Sequence, residues 1–317
     1  ACHSSSTKEN PLLTESTLDY HAPDFSKIRP EHFIPAIEEG IRIQLAEIDS
    51  ITKNPEAPTF ENTILAYEKS GRLLARATAI LLGLVGADGT EELQKIDEET
   101  TPMLSDHQDA LLLNEKLFAR IKAVYDQRSS LKGEDLRLTE LLYDQFVHEG
   151  ALLSPQDKEE LKKINSEIAV LQTKFTNQVN AGTKAAAVLV DRVEDLDGLS
   201  KEAIARAAEA ATQAGQKGKY LLEQANTTRP GYIAELNNRD LRRRVLEASL
   251  NRCSGSDSTG THATITRIAE LRATKAKLLG FSSFSAWALS DQMAQRPEAV
   301  LHLVDQLAPA CRAKVAE

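Results

Sequence analysis

Ser154-Pro155-Gln156-Asp157 starts the stretch whose reading decides the fold class. It offers a hydroxyl cap, a proline at the first helical position and an acid three residues after the cap, each of which favours a helix start. Behind it Leu161, Ile164, Ile168, Leu171, Phe175 and Val179 recur at steps of three or four, the spacing of one helix face. A long amphipathic helix is expected here. Upstream the same period repeats. Ile34, Ile37, Ile41, Leu45 and Ile48 predict a helix that Pro30 starts and that Pro55 and Pro58 close. Thr59 caps a second predicted helix, which begins at Phe60-Glu61 and runs to about Gly83–Gly86. Leu93, Ile96 and Leu104 carry a third, and Leu113, Leu117, Ile121 and Val124 a fourth. Leu136 to Val147 resumes the pattern after Gly133.

Downstream the texture changes. Ala187-Val188-Leu189-Val190 and Lys219-Tyr220-Leu221-Leu222 are short apolar runs, with a turn at Asp195, Asp197 and Gly198 between them. Ser200 caps an alanine-rich helix that ends near Gly215, so two short strands around a helix are expected. Helices resume at Pro230–Ala248, Thr261–Leu279, Ser282–Met293 and from Pro297 on. The expected organisation is an irregular segment over 1–29, a helical domain over 30–183, a small α+β insert over 184–230 and further helices over 231–317. The fold class is mostly α, with a strand-bearing insert near 184–225. In the last predicted helix Val300, Val304, Leu307, Cys311 and Val315 keep their spacing up to Glu317 without a Gly or Asn cap, which reads as a chain cut inside an apolar stripe.

Composition narrows the function classes. Of 317 residues 41% are apolar and 27% charged, with 15 Gly and 11 Pro, which excludes disordered, collagenous and low-complexity chains. A net charge of −9 gives no electrostatic footprint for nucleic acid. No run approaches the roughly 18 consecutive apolar residues of a membrane helix, so no transmembrane span is expected. Cys2, Cys253 and Cys311 make no disulfide framework and have no zinc-finger spacing, and the latter two read as small hydrophobes. Ala1-Cys2 followed by His3-Ser4-Ser5-Ser6-Thr7 resembles the junction of a bacterial lipoprotein signal. That implies an envelope location on the periplasmic side with a lipid at Cys2. An arbitrary start and a cytoplasmic location are the alternative.

Known catalytic spacings do not fit. Of the histidines only His148 is followed by Glu149, and four residues on stands Leu152 rather than the second ligand of H-E-x-x-H. Gly255-Ser256-Asp257-Ser258-Thr259-Gly260 matches no nucleophile elbow and reads as a capped loop. Gly218-Lys219 lacks the upstream glycine and following hydroxyl of a phosphate loop, and Asp195-Leu196-Asp197-Gly198 is too short of acids for calcium. Arg239, Arg242, Arg243, Arg244 and Arg252 cluster on one predicted helix with Glu235, Asp240 and Glu247 interleaved, so solvated ion pairing is expected over a peptide-carboxylate site. Trp287 follows Phe281 and Phe284 at helical spacing and is expected in the core.

Several segments nevertheless belong together. They are Asn10-Pro11-Leu12-Leu13, Pro23-Asp24-Phe25, Ile28-Arg29-Pro30-Glu31-His32-Phe33-Ile34-Pro35-Ala36 and Pro58-Thr59-Phe60-Glu61-Asn62-Thr63-Ile64 with Leu73-Leu74. Further on come Arg239 through Arg252, Leu271-Arg272-Ala273-Thr274-Lys275-Ala276-Lys277-Leu278-Leu279-Gly280-Phe281, Asp291-Gln292-Met293-Ala294 and Pro297-Glu298-Ala299-Val300. In this order, over roughly residues 10 to 317, they resemble the M3 zinc metallopeptidases, nearest the peptidyl-dipeptidase and oligopeptidase A group. One departure is that the loop from Ser254 to Ala263 lacks the asparagine expected before Thr264-Ile265.

The resemblance implies the multi-helix N-terminal part of a channel-forming metallopeptidase, one wall of a channel that admits short peptides. The family's H-E-x-x-H helix and later glutamate ligand belong to a part that this sequence does not hold. No catalytic, cofactor-binding or metal-ligating residue is therefore assigned here. One zinc ion is implied for the complete enzyme, with ligands outside this chain. The implied partners are short peptide substrates, with release of C-terminal dipeptides, and a C-terminal catalytic domain as covalent partner. The chain alone is expected to be inactive. The alternative is a non-catalytic helical protein that binds peptides or other partners.

Overall fold

The structure, a computed structural model, describes residues 10–317. Cys2 and its polar tether lie outside the described residues. Single 3-10 turns at Asp19–His21 and Pro30–His32 lead into α1, Phe33–Thr52, so Pro30 stands just ahead of the helix it was expected to start. The second expected helix is real only in pieces. The Thr59 hydroxyl accepts the Asn62 amide at 3.1 Å and the Asn62 side chain accepts the Thr59 amide at 2.8 Å, a reciprocal cap. What it starts is a π-helical turn, Phe60–Leu65, then α2, Ala66–Glu68, and after a break α3, Arg72–Asp88. Gly71 makes the break at φ 70°, and its N–H donates to the Glu47 carboxylate of α1 at 2.8 Å. An apolar period can run across such a break, because the period records which face is buried and not whether the backbone is continuous. By length and composition the stretch Phe60–Ala87 could cross a membrane. Its Leu74, Ala77 and Leu81 are instead buried in a core shared with α1.

The helices α4, Glu91–Leu112, α5, Glu115–Asp126, α6, Gly133–His148, and α7, Pro155–Ala185, follow. Two clusters hold the first of them together. Phe33, Ala36 and Ile37 of α1 pack with Leu81 of α3 and with Leu93 and Ile96 of α4. At the other end Ile48 and Ile51 meet Phe60, Ile64, Leu117, Ile121 and Phe146. The α7 start is as the sequence predicts: Ser154 accepts the Asp157 amide at 3.2 Å, and its hydroxyl donates to the Asp157 carboxylate at 2.7 Å. Its apolar stripe is buried at Leu161 and Ile164 and only half-buried from Ile168 to Val179.

β1, Val188–Val190, pairs antiparallel with β2, Tyr220–Leu222, in the register Val188↔Leu222. Between them lies α8, Lys201–Gln213, capped by Ser200 on the Ala203 amide at 3.2 Å. The helix expected over 230–248 is two helices, α9, Arg229–Glu235, and α10, Arg239–Leu250. Asn238 separates them by capping the Leu241 amide at 3.1 Å. α11, His262–Leu278, α12, Phe284–Leu289, and α13, Pro297–Ala316, complete the chain. The mostly α class with one small strand-bearing insert is what the structure has.

The chain divides into two compact units. One takes the described residues through Val170 together with Ala269–Glu317, and the other is Leu171–Ile268. The second reaches beyond 184–230 because Tyr232, Leu236, Leu241 and Val245 join Val188, Val190, Leu196 and Leu222 in its core.

Candidate functional site

In the first unit two buried charged side chains, Lys275 and Asp109, act on each other near the end of α11. Lys275 continues the buried stripe Ile268, Leu271 of that helix, yet it is a lysine. Its ammonium lies 3.4 Å from the Glu149 carboxylate and 4.5 Å from the centre of the Trp287 ring, so both a charge and a π-face replace its water. Trp287 is half-buried and belongs to this junction rather than to an aliphatic core. Its indole N–H donates to the His148 carbonyl at 3.1 Å, and the two rings stack at 4.6 Å and 17°. His148 Nε2 returns to the Trp287 carbonyl at 3.0 Å. An indole was expected in the core from its spacing alone, but its N–H needs an acceptor wherever it is buried. Asp109 of α4 adds a carboxylate, which accepts the Asn165 amide of α7 at 2.8 Å. Burial is the main cause that pushes this carboxyl up to about 6. Most of these groups bond to one another, which makes a joint between helices.

The second unit uses its arginines differently from the expected ion pairing. Arg242 donates to the carbonyls of Leu236 and, at 3.0 Å, of Asn237. Arg244 donates to the Leu189 carbonyl of β1 at 3.0 Å, and Arg252, beyond the end of α10, to the Gln224 carbonyl at 3.3 Å. Arg243 has a carboxylate contact, to Asp240 at 3.4 Å. A guanidinium has five donors and no acceptor, so it suits the unpaired carbonyls at the ends of strands and helices. Arg244 thus ties α10 to β1 and Arg252 ties the turn after α10 to Gln224, while Arg242 closes the link between α9 and α10.

The remaining motifs are held by structural hydrogen bonds. The Asp257 carboxylate accepts the amide and the hydroxyl of Thr259 at 2.9 and 2.6 Å, which holds it below its ordinary range. Asp195 and Asp197 accept the side-chain amides of Asn238 and Asn237 at 3.2 and 2.9 Å. Among the described residues no group of three His, Cys, Asp or Glu side chains could hold a metal ion, so the residues present do not fit a zinc. Cys253 and Cys311 are free thiols, and Cys311 is exposed.

α13 is the outstanding surface. It buries none of its residues, and Leu301, Leu303, Val304 and Leu307 are all exposed, the last at 57%. Asp109 and Asn165 go unnoticed in the sequence, and Glu149 and Lys275 stand there only in a failed zinc spacing and in the family-like stretch. The one available signal was a lysine in register with Ile268 and Leu271 on an otherwise apolar face.

Comparison with known proteins places these features. Residues 232–317 match the family described as Peptidase family M3. The dipeptidyl carboxypeptidase of Escherichia coli K12 is 40% identical over 313 residues, which cover 98% of this chain and 46% of that protein. That of Salmonella typhimurium LT2 is 40% identical over 308 residues, 96% of this chain and 45% of its own length. The oligopeptidase A of Haemophilus influenzae Rd is 29% identical over 312 residues, 94% of this chain and 44% of its own. The chain spans under half the length of these relatives.

Proposed function

Since the chain belongs to peptidase family M3, we propose that it is the N-terminal part of a metallopeptidase that hydrolyses short peptides and releases dipeptides from their C-termini. The observation that carries this reading is 40% identity to a dipeptidyl carboxypeptidase across 98% of the chain. The lower identity to oligopeptidase A, 29%, favours dipeptide release over internal cleavage. The catalytic ion, zinc, and its ligands belong to the remainder of the longer protein, and the chain alone is inactive. Its own residues act as scaffold. Lys275, Glu149 and Trp287 lock α11 and α12, and Arg244 of α10 holds β1 of the insert. The exposed apolar face of α13 is the surface against which the remainder packs. The Ala1-Cys2 junction supports a lipid-anchored envelope location.

The test is product analysis. The full-length protein, given a short peptide with a free C-terminus, is expected to yield a ladder of dipeptides by mass spectrometry and to leave the C-terminally amidated peptide intact. Internal fragments would overturn the dipeptide assignment, and absence of any cleavage would overturn the peptidase reading. The 317-residue chain with added zinc is expected to cleave neither. Zinc-dependent cleavage by it would contradict the scaffold role.

A further inference from the structure

Asp109 is 6% exposed, and only one of its oxygens is satisfied. Oδ1 accepts the Asn165 amide at 2.8 Å, whereas Oδ2 is buried without a partner. An ionised carboxylate has about four acceptor sites, so a single bond leaves its charge poorly solvated. The groups around it come from four directions. α7 presents the neutral Asn165, and α11 presents Lys275. Glu149 follows the end of α6, and Asp106 stands one turn earlier on α4. His107, on the same helix, is turned to α1, where its Nε2 lies 2.7 Å from the Gln44 side-chain oxygen. Asp106 lines a surface pocket with Lys162 and Lys163 of α7, so Asp109 and Glu149 are the carboxyls that face Lys275, and that ammonium is already held by Glu149 and by the Trp287 ring.

We propose that Asp109 is a proton-linked joint of the fold. With a proton on Oδ2, Asp109 leaves Lys275 to Glu149 and Trp287, so that α11 and α12 sit firmly. When that proton leaves to solvent, the uncovered Oδ2 competes with Glu149 for the same ammonium, and the α11–α12 end of the unit loosens. The sign of the linkage follows from the carboxyl being harder to ionise in the folded chain. The ordinary value is 3.8 and the folded one about 6, so the folded state keeps a proton that the unfolded chain releases. Stability contributed by this group is complete below the ordinary range, declines as pH rises toward about 6 and is absent above it. The gap of about two pH units corresponds to roughly a hundredfold change in the folding equilibrium.

The experiment is hydrogen exchange on the full-length protein and its Asp109→Asn variant from pH 5 to pH 8, corrected for intrinsic rates. The asparagine mimics the protonated side chain and cannot ionise. In the wild type, protection over residues 270–289 is expected to fall about tenfold between pH 5 and about 6 and to level off above that. The variant is expected to hold its protection over the same range. Every other side chain is common to both proteins, so the difference between the profiles isolates Asp109. Parallel profiles would overturn the proposal. If that variant does not fold, Asp109→Ser is a second side chain that cannot ionise, and it is read the same way: a flat profile over 270–289 supports the joint, and a profile parallel to the wild type overturns it. The readout is independent of peptidase activity.

Discussion

α10 and α13 both carry apolar side chains at helical spacing, and they end in opposite surroundings. α10 is short and rich in arginine, yet Leu241, Val245 and Ser249 are buried on the face it turns to the strands. α13 is longer and more apolar, and buries nothing. Periodicity therefore specifies which face of a helix seeks a partner, while burial depends on whether the partner is there. Stabilisation follows burial at about 25 cal/mol per Å² of apolar surface removed from water. On that measure α10 holds its unit together and α13 adds almost nothing to its own.

Substitutions can break or sharpen this contrast, and their effects should fall in a definite order. Leu241→Ala removes a side chain from the core around Val188, Leu196 and Leu222, and is expected to cost about 3 kcal/mol in urea unfolding. Gly198→Ala strikes the link between α9 and α10. A methyl there would lie 2.0 Å from the Glu235 carbonyl oxygen, on a backbone at φ 100°, so a loss of roughly 2 kcal/mol is expected by the same measurement. Ser154→Ala tests α7, whose stripe is fully buried only at its beginning. Loss of the cap is expected to cost about 1 kcal/mol and to speed amide exchange in the first turn. Leu307→Ala in α13 of the 317-residue chain should stay within about 0.5 kcal/mol of wild type. A loss near that of Leu241→Ala would mean that α13 has a partner already within the chain, and the contrast would fail.

Much of the fold was readable because its signals are local. The Ser154 cap, the strands at Val188–Val190 and Tyr220–Leu222, and the helix after Ser200 each depend on neighbouring residues, and each is where the sequence puts it. The breaks at Gly71 and Asn238 were missed, since an apolar period carries on through both. Long-range pairing was illegible. Nothing near Trp287 in sequence announces His148, and nothing near Arg244 announces the Leu189 carbonyl. The arginines read as surface ion pairs because Asp240 and Glu247 flank them, and tertiary structure gave three of them backbone acceptors instead. The polar joint around Lys275 is the extreme case. A charged residue on a buried face is visible as an oddity, but its partners come from elements far apart in the chain.

The scaffold account is tested most directly by hydroxyl-radical footprinting of α13 in two samples, the 317-residue chain and the full-length protein. Leu301, Leu303, Val304 and Leu307 are expected to be oxidised readily in the chain and shielded in the full-length protein, while Leu241 and Val245 stay shielded in both. Equal oxidation of the α13 residues in the two samples would show that nothing in the longer protein covers this face, and would contradict the account.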